Sequence, residues 1–194
     1  MGYPEEFVEI YTRDIHRAGS EKLLEWLKTT DFFRAPASTR FHGACEQGLV
    51  MHSLNVHRAM TRYFLEEGDS PESFAICALL HDLCKANFYK PGTRNVKNEA
   101  TGQWEKVPTF TVEDVFPYGH GEKSVFLIER FMKLKTSEAV AIRWHMGGFD
   151  DAARGGSFAV SQAYDQYPLA VKLHMADLAA TYLMEKGTSK ANKR

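Results

Sequence analysis

Apolar residues along this chain recur mostly at the three- and four-residue spacing of amphipathic helices. The spacing covers residues 5–18 and 20–28, which Gly19 separates, and a longer stretch at 47–67 that stops at Gly68. We therefore expect two N-terminal helices followed by a long third helix.

The start of the next helix is marked by several neighbouring residues. Asp69 or Ser70 can cap it, and Pro71 suits the first helical position, where a backbone N–H has no partner in any case. The apolar pattern predicts that this helix runs to about Cys84. Further helices are expected at 122–133, at 137–145 and from Pro168 to about Lys186, with a short helix between a glycine-rich loop at 146–157 and Pro168. The predicted fold class is therefore all-α.

One segment departs from the helical pattern. Residues 86–119 are rich in proline and glycine and have no helical periodicity. Within them, the stretch TRNVKNEATGQWEKVPTF contains two short β-compatible runs on either side of 99–102. We predict a small β-hairpin insertion around residues 93–108.

The composition is that of an ordinary globular domain. The chain has 194 residues, of which 44% are hydrophobic and 25% are charged. We expect a single domain, with N-terminal helices at 5–30, a core at about 40–185 and a flexible basic tail at 187–194. The formal net charge of −1 gives no reason to expect long nucleic acid or an anionic membrane as a partner. The oligomeric state stays open.

The sequence also bears on the cellular compartment. Its longest apolar run, residues 74–80, is far shorter than the roughly 20 residues needed to span a bilayer. The N-terminus MGYPEEFVEI has no apolar stretch of the kind found in secretory signals. Three cysteines, Cys45, Cys77 and Cys84, form no paired framework and favour a reducing compartment. We therefore expect a cytoplasmic protein.

Six polar residues lie on or at the ends of the predicted helices: His52, His81, Asp82, His120, His145 and Asp177. A single histidine of this kind is more often a hydrogen-bonded core residue than a ligand. Together, however, imidazoles and carboxylates from five helices are the ligands that Fe, Mn, Co, Ni or Zn accept, and an aspartate can bridge two ions. The set predicts a site for divalent metal ions.

The order and context of these residues resemble the HD-domain superfamily of metal-dependent phosphohydrolases. In that family a histidine is followed by an adjacent His-Asp pair and a distant aspartate, which match His52, His81, Asp82 and Asp177. The stretch QGLVMHSLNV is similar to the family's glycine-leucine-x-x-histidine motif, and LLHDLCK to its Leu-His-Asp-Ile-Gly-Lys form, with Cys84 replacing the usual glycine. The resemblance covers roughly residues 40–185 and implies an all-α helical bundle.

The resemblance also implies a metal count and a chemistry. Members with two metals have two further histidines, which His120 and His145 match, so that Asp82 would bridge two ions. Two cations about 3.5 to 4 Å apart can activate a water molecule and neutralise a phosphoryl group under attack. A mononuclear site, in which these two histidines contact substrate, is the alternative. Asp82 and Lys85 are the residues we expect to act in catalysis, although Lys85 could also be a solvated cation at the helix C-terminus.

The substrate expected from the resemblance is a phosphomonoester or phosphodiester, in the first place that of a nucleotide. Candidates for binding it, besides Lys85, are His42 in the loop before the third helix, and Tyr89, Lys90, Arg94 and Arg143. The cations and aromatic rings of residues 86–118 could hold phosphates and a base, or could belong to a hairpin that only covers the core, with Trp104 packed inward. Cys84 could approach the site or be a small core thiol.

Two other classes of function remain open on the sequence. Some HD-fold proteins with four histidines and two aspartates are mixed-valence di-iron oxygenases, and others are non-catalytic nucleotide-binding modules. The stretch MGGFDD after His145 lacks the Gly-Tyr-Pro motif of the branch that acts on cyclic dinucleotides. His174, one helical turn before Asp177, could orient that carboxylate or be a core residue.

Overall fold

A computed structural model of the protein describes residues 1–186, which form helices joined by loops, together with one two-stranded sheet. The predicted all-α class with a small hairpin is confirmed. The helices are α1 (Tyr3–Asp14), α2 (Ser20–Thr29), α3 (Gly48–Phe64), α4 (Pro71–Leu80), α5 (His120–Glu129), α6 (Thr136–Trp144), α7 (Asp151–Arg154), α8 (Ala159–Gln166) and α9 (Pro168–Ala179). The basic tail predicted at 187–194 lies outside the described residues.

Several helix starts follow the local signals in the sequence. Pro71 and Pro168 each occupy the first position of a helix, as predicted. The Ser70 hydroxyl caps α4 by accepting a hydrogen bond from the Ser73 backbone N–H at 3.2 Å. These caps fix where α4 and α9 begin, and therefore which residues fall at their far ends.

The prediction that α4 continues to about Cys84 is wrong. The helix ends at Leu80, and a short 3₁₀ turn, Leu83–Lys85, follows. Asn87, in the left-handed conformation at φ 54°, then turns the chain toward the hairpin. Because the helix stops early, Lys85 does not lie on the helix face of His81, and its ammonium instead approaches Asp82, three residues earlier.

The end of the last helix also differs from the expected regular helix to Lys186. Its α-helical part ends at Ala179, and a π-helical turn, Ala180–Met184, continues it. The Glu185 backbone N–H donates to the Ala180 carbonyl five residues earlier, at 3.0 Å.

The hairpin is longer than the predicted 93–108. Strand β1 (Tyr89–Lys97) pairs antiparallel with β2 (Trp104–Val112), from Tyr89 opposite Val112 to Lys97 opposite Trp104. The inward packing considered for Trp104 is wrong, because its side chain lies at the open end of the hairpin and is 69% exposed.

The core lies between the long apolar faces of α1, α3, α4 and α9. Fully buried side chains from these helices include Phe7, Leu49, Leu54, Ile76, Leu79 and Leu173. At about 25 cal/mol for each Å² of apolar surface removed from water, each such side chain stabilises the fold by roughly 2 kcal/mol. Among residues 1–186, no helix has the length and apolar content that a bilayer crossing demands.

A buried ionic network joins the N-terminal ends of α4 and α6. The carboxylate of Glu138, at the start of α6, is fully buried and accepts hydrogen bonds from both terminal nitrogens of Arg17. It also accepts from the Ser73 hydroxyl at 2.7 Å and from the Lys135 backbone N–H at 2.7 Å. Arg17 in turn donates to Glu72 at 3.0 Å. The network holds together the two helices whose far ends carry His81 and His145.

Candidate metal centre

Five separate helices bring the predicted ligands to one place. His52 lies in the middle of α3, and Asp177 lies in α9. His81 and Asp82 directly follow α4, His120 begins α5, and His145 directly follows α6. All are buried except His120 and Asp177, whose side chains are 31% and 15% exposed.

Three of the histidines present the same ring nitrogen to the centre because the other nitrogen is already bonded. His81 Nδ1 lies 2.9 Å from the Ala78 carbonyl and His145 Nδ1 lies 2.7 Å from the Ile142 carbonyl. His52 Nδ1 lies 3.0 Å from a carboxylate oxygen, Glu185 Oε1. Since carbonyl and carboxylate oxygens only accept, each Nδ1 is a donor, and in the neutral ring Nε2 carries the lone pair.

The repeated geometry of His81 and His145 has a local cause. Each is the residue that directly follows the last helical residue, where carbonyl groups have lost their intrahelical partners. Its ring N–H bonds the carbonyl three residues back, and this fixes the ring orientation.

The two carboxylate oxygens of Asp82 face different pairs of histidines. Oδ2 lies 3.7 Å from His52 Nε2 and 3.5 Å from His81 Nε2. Oδ1 lies 2.9 Å from His120 Nε2 and 3.6 Å from His145 Nε2. Asp82 therefore lies between two clusters of imidazole nitrogens, with one oxygen directed at each.

The first cluster is completed by a second carboxylate. Asp177 Oδ1 lies 3.2 Å from His52 Nε2, and the Nε2 atoms of His52 and His81 are 3.3 Å apart. Burial alone would lower the pKa of His52, but hydrogen bonds to Asp177 and Glu185 raise it to about 10. For Asp177, burial opposes ionisation, yet the His52 imidazole lowers its pKa below the usual range.

The second cluster has a different electrostatic character. Burial lowers the pKa of His145 to about 4, because the attraction of the Asp82 carboxylate, 3.6 Å from Nε2, only partly offsets desolvation. Burial would also lower the pKa of His120, but its interactions with the Cys84 sulfur and the Asp82 carboxylate raise it to about 10. His145 is therefore a neutral imidazole at physiological pH, ready to act as a ligand.

Asp82 stays ionised in this buried position. Desolvation would raise its pKa, but the positive charge of Lys85, the interaction with His81 and the bond from His120 hold the pKa well below its usual range. Lys85 Nζ donates to Asp82 Oδ2 at 2.7 Å. Burial disfavours the ammonium, but Asp82 raises the pKa of Lys85, so this lysine is charged.

Two glycines permit the close approaches that this arrangement requires. A Cβ on Gly48, the first residue of α3, would lie 1.9 Å from the Gly43 carbonyl oxygen. A Cβ on Gly121, the residue after His120, would lie 2.2 Å from the Arg143 carbonyl oxygen. Without side chains at these points, the loop before α3 can pack on its first turn, and α5 can approach α6 closely enough for His120 to meet His145.

The chemistry of the donor set fits divalent ions. His145 Nε2 is fully buried and has no hydrogen-bond partner among residues 1–186, which is costly for a polar atom unless a ligand is bound there. Donor atoms in each of three groups lie within 4.8 Å of one another: His52 with His81 and Asp177, His81 with Asp82 and His145, and Asp82 with Cys84 and His120. These residues could hold transition metal ions.

The Cys84 thiol contacts one of the predicted ligands, His120. Its sulfur is 3.3 Å from His120 Nδ1 and 3.8 Å from His120 Nε2. Such similar distances to both nitrogens place the sulfur against the face of the ring, since a hydrogen bond along one N–H would leave the other nitrogen much farther away.

The predicted substrate contacts are placed unequally. His42 is close to the centre: its ring centroid is 4.9 Å from that of His52, and its Nε2 is buried with no bond to any other residue of 1–186. Burial, together with the charges of His52 and Lys85, lowers the pKa of His42 to about 4. The Tyr89 hydroxyl donates to the Ala37 carbonyl at 3.3 Å.

The other cations named from the sequence lie on β1 and near the end of α6. Lys90 is 63% exposed and pairs with Glu113, and Arg94 lies half-buried on β1. Arg143, two residues before His145, pairs with Glu122 and Asp150 and lies over the Trp144 ring. Its guanidinium is therefore already engaged within the protein.

Sequence reasoning missed one residue of this site. Glu185, bonded to His52 Nδ1, lies only 3% exposed just past the π-turn. The orienting role considered for His174 toward Asp177 has no contact to support it, because His174 Nδ1 lies 2.6 Å from the His145 carbonyl oxygen instead. The only hint of Glu185 in the sequence was that it is a glutamate in an apolar stretch, TYLMEK.

Comparisons with known proteins agree with this geometry. Residues 49–182 match the family model described as HD domain, and this span includes all six predicted ligands. Neither the curated proteins nor the solved structures gave a match. Because the match covers more than half of its length, the chain belongs to the HD-domain superfamily, whose members are mostly metal-dependent hydrolases.

Proposed function

We propose that this protein is a phosphohydrolase with a two-metal centre, which cleaves a phosphomonoester or phosphodiester of a nucleotide. The observation that carries the proposal is the position of Asp82, whose Oδ2 faces His52 and His81 while its Oδ1 faces His120 and His145. A carboxylate in this position is suited to bridge two ions.

The proposed ligands divide into two sets that share Asp82. His52, His81 and Asp177 would hold one ion, and His120 and His145 would hold the other. The hydrogen bonds at Nδ1 of His52, His81 and His145 keep their Nε2 lone pairs directed inward. When bound, two divalent ions supply an activated water molecule and neutralise charge on a phosphoryl group.

Lys85 is the proposed contact for the phosphate. Its ammonium has three donors, and one is directed at Asp82 Oδ2. A phosphate oxygen that enters beside the bridging carboxylate would meet a second donor, and this charge-assisted bond would position the phosphorus for attack. Lys85 thus both supports Asp82 and would bind substrate.

The rest of the substrate is proposed to contact residues around the first metal ligands. The buried Nε2 of His42 and the hydroxyl of Tyr89 are the nearest candidates. Lys90 and Arg94 on β1 are cations suited to further phosphates, and Arg143 would contribute after exchanging a carboxylate partner.

Metal analysis followed by an activity panel tests the proposal. The purified protein is expected to bind two divalent ions per chain, and to hydrolyse at least one phosphoester or nucleotide with Mn, Co, Fe, Ni or Zn under anaerobic conditions. Oxygen-dependent turnover that requires iron would instead support the oxygenase class. Metal-free protein without turnover would support a non-catalytic nucleotide-binding module.

Three variants separate the proposed roles. Asp82→Ala should lose both metals and all turnover, whereas His145→Ala should lower the stoichiometry from two ions to one. Lys85→Ala should keep both ions but lose about 10- to 100-fold in kcat/KM, the worth of one hydrogen bond to a charged group. Lys133→Ala, a matched control on an 89% exposed lysine, should leave both quantities unchanged.

A further inference from the structure

The buried carboxylate of Glu185 is held by two side chains of α3, one turn apart. Its Oε1 lies 3.0 Å from His52 Nδ1 and accepts a hydrogen bond from Asn55 Nδ2 at 3.1 Å. Asn55 Oδ1 accepts from Arg58 at 2.9 Å, and Arg58 pairs with Glu6 on α1. A chain of polar contacts therefore runs from the surface of the protein to His52.

His52 is consequently held between two carboxylates of the same C-terminal element. Asp177 Oδ1 lies 3.2 Å from Nε2 on one side of the ring, and Glu185 Oε1 lies 3.0 Å from Nδ1 on the other. The two carboxylates have different tasks, because only the Nε2 side faces His81 and Asp82.

The π-turn explains how both carboxylates reach one histidine. In a regular α-helix, eight residues at about 100° each would place Glu185 about 80° away from the face of Asp177. A π-turn rotates less per residue, because its hydrogen bonds close over five residues instead of four. The five π-helical residues Ala180–Met184 remove most of this offset, so that Glu185 returns to the face that packs on α3.

We infer that Glu185 is a positioning residue of the metal centre, which fixes His52 as the Nδ1–H tautomer and strengthens its Nε2 as a ligand. The inference rests on the proposed two-metal function and adds to it a residue that lies outside the matched family segment, 49–182. A carboxylate on the far nitrogen of a ligand histidine orients the ring and raises its basicity, and loss of such a partner lowers metal affinity 10- to 100-fold.

Two substitutions separate orientation from charge. In Glu185→Gln, the amide oxygen can still accept from Nδ1, so the tautomer should persist while the affinity falls less than tenfold. In Glu185→Ala, Nδ1 has no acceptor, and the affinity for one of the two ions should fall 10- to 100-fold. The matched control, Glu6→Gln, changes the outer end of the same polar chain and should alter neither property.

The experiment is zinc titration against a competing chelator, together with ¹H and ¹⁵N NMR of the His52 Nδ1–H group in the zinc-loaded protein. Zinc on Nε2 would leave the ring proton on Nδ1 in every variant, so the measurement reports the hydrogen bond of that proton. We expect wild type, Glu185→Gln and Glu6→Gln to bind two zinc ions and to show an Nδ1–H that its hydrogen bond protects from exchange with water. Glu185→Ala should bind one zinc ion more weakly and show an Nδ1–H that exchanges rapidly. Circular dichroism checks that each variant is folded. If Glu185→Ala fails to fold, Glu185→Gln decides the question. A Glu185→Gln variant that keeps the protected Nδ1–H and has a measurable loss of zinc affinity supports the inference, and one with unchanged affinity overturns it.

The outcomes also distinguish this inference from the proposed function. Wild-type protein that binds two zinc ions, with a folded Glu185→Ala variant of equal affinity and an equally protected His52 Nδ1–H, overturns the role of Glu185 alone. Wild-type protein that binds no zinc overturns both.

Discussion

The buried pair of Arg17 and Glu138 permits a quantitative prediction about the stability of the fold that carries the candidate metal centre. Glu138 is fully buried and accepts four hydrogen bonds, two of which come from Arg17. Arg17→Ala would leave this carboxylate in the interior with only Ser73 and the Lys135 backbone as partners. Breaking a buried pair from one side costs about 3 to 5 kcal/mol, and the two remaining bonds favour the lower value of about 3 kcal/mol.

Chemical and thermal unfolding measure this cost directly. For a chain of this size, a loss of about 3 kcal/mol lowers the Tm by about 6 to 12 °C. The matched control is Arg13→Ala, which removes an arginine paired with Asp14 but 59% exposed, and should cost less than about 1 kcal/mol. The double variant Arg17→Met, Glu138→Met removes both charges and should recover most of the loss.

The same variants separate stability from metal binding. The network lies at the N-terminal ends of α4 and α6, and His81 and His145 follow their C-terminal ends, about 15 Å away along each helix. Folded Arg17→Ala should therefore bind metal with the same stoichiometry as wild type. Equal costs for Arg17→Ala and Arg13→Ala, or a double variant as unstable as the single one, would refute the reasoning.

Three further predictions concern pH, packing and metal. Burial opposes ionisation of Glu138, but its hydrogen bonds lower its pKa, so the ionised carboxylate stabilises the fold above its unfolded pKa of about 4.3. This contribution is lost as the pH falls through the folded pKa. The unfolding free energy should therefore fall less steeply with decreasing pH in the double variant Arg17→Met, Glu138→Met than in wild type. Gly121→Ala should lower the unfolding free energy by about 1 to 3 kcal/mol and lower the affinity for a metal ion at His120. Gly148→Ala, with open space around it, should change neither quantity. Unfolding curves and metal titrations measure the two effects. A divalent ion at 100 times its Kd should raise the unfolding free energy by about 2.7 kcal/mol in wild type and not in Asp82→Ala, and an equal rise in both would contradict the assigned site.

Local signals in the sequence were sufficient for much of the fold. Pro71, Pro168 and the Ser70 cap lie where predicted, because caps and prolines act on the few residues around them. The hairpin was predicted in the right place but too short, since the extent of strand pairing depends on both strands together. The early end of α4 was not predicted, because apolar residues continue past Leu80 and only the turn at Asn87 shows where the chain changes direction.

The sequence by itself determined the residue types of the candidate metal centre and their order, because the ability to bind metal ions belongs to the imidazole and carboxylate groups themselves. It could not determine which oxygen of Asp82 faces which histidine, which ring nitrogen is directed inward, or that Cys84 lies against the His120 ring. Those relations depend on angles between helices that are far apart in the chain. Glu185 illustrates the difference most directly, since only the slower rotation of a π-turn returns it to the face of Asp177 and into contact with His52.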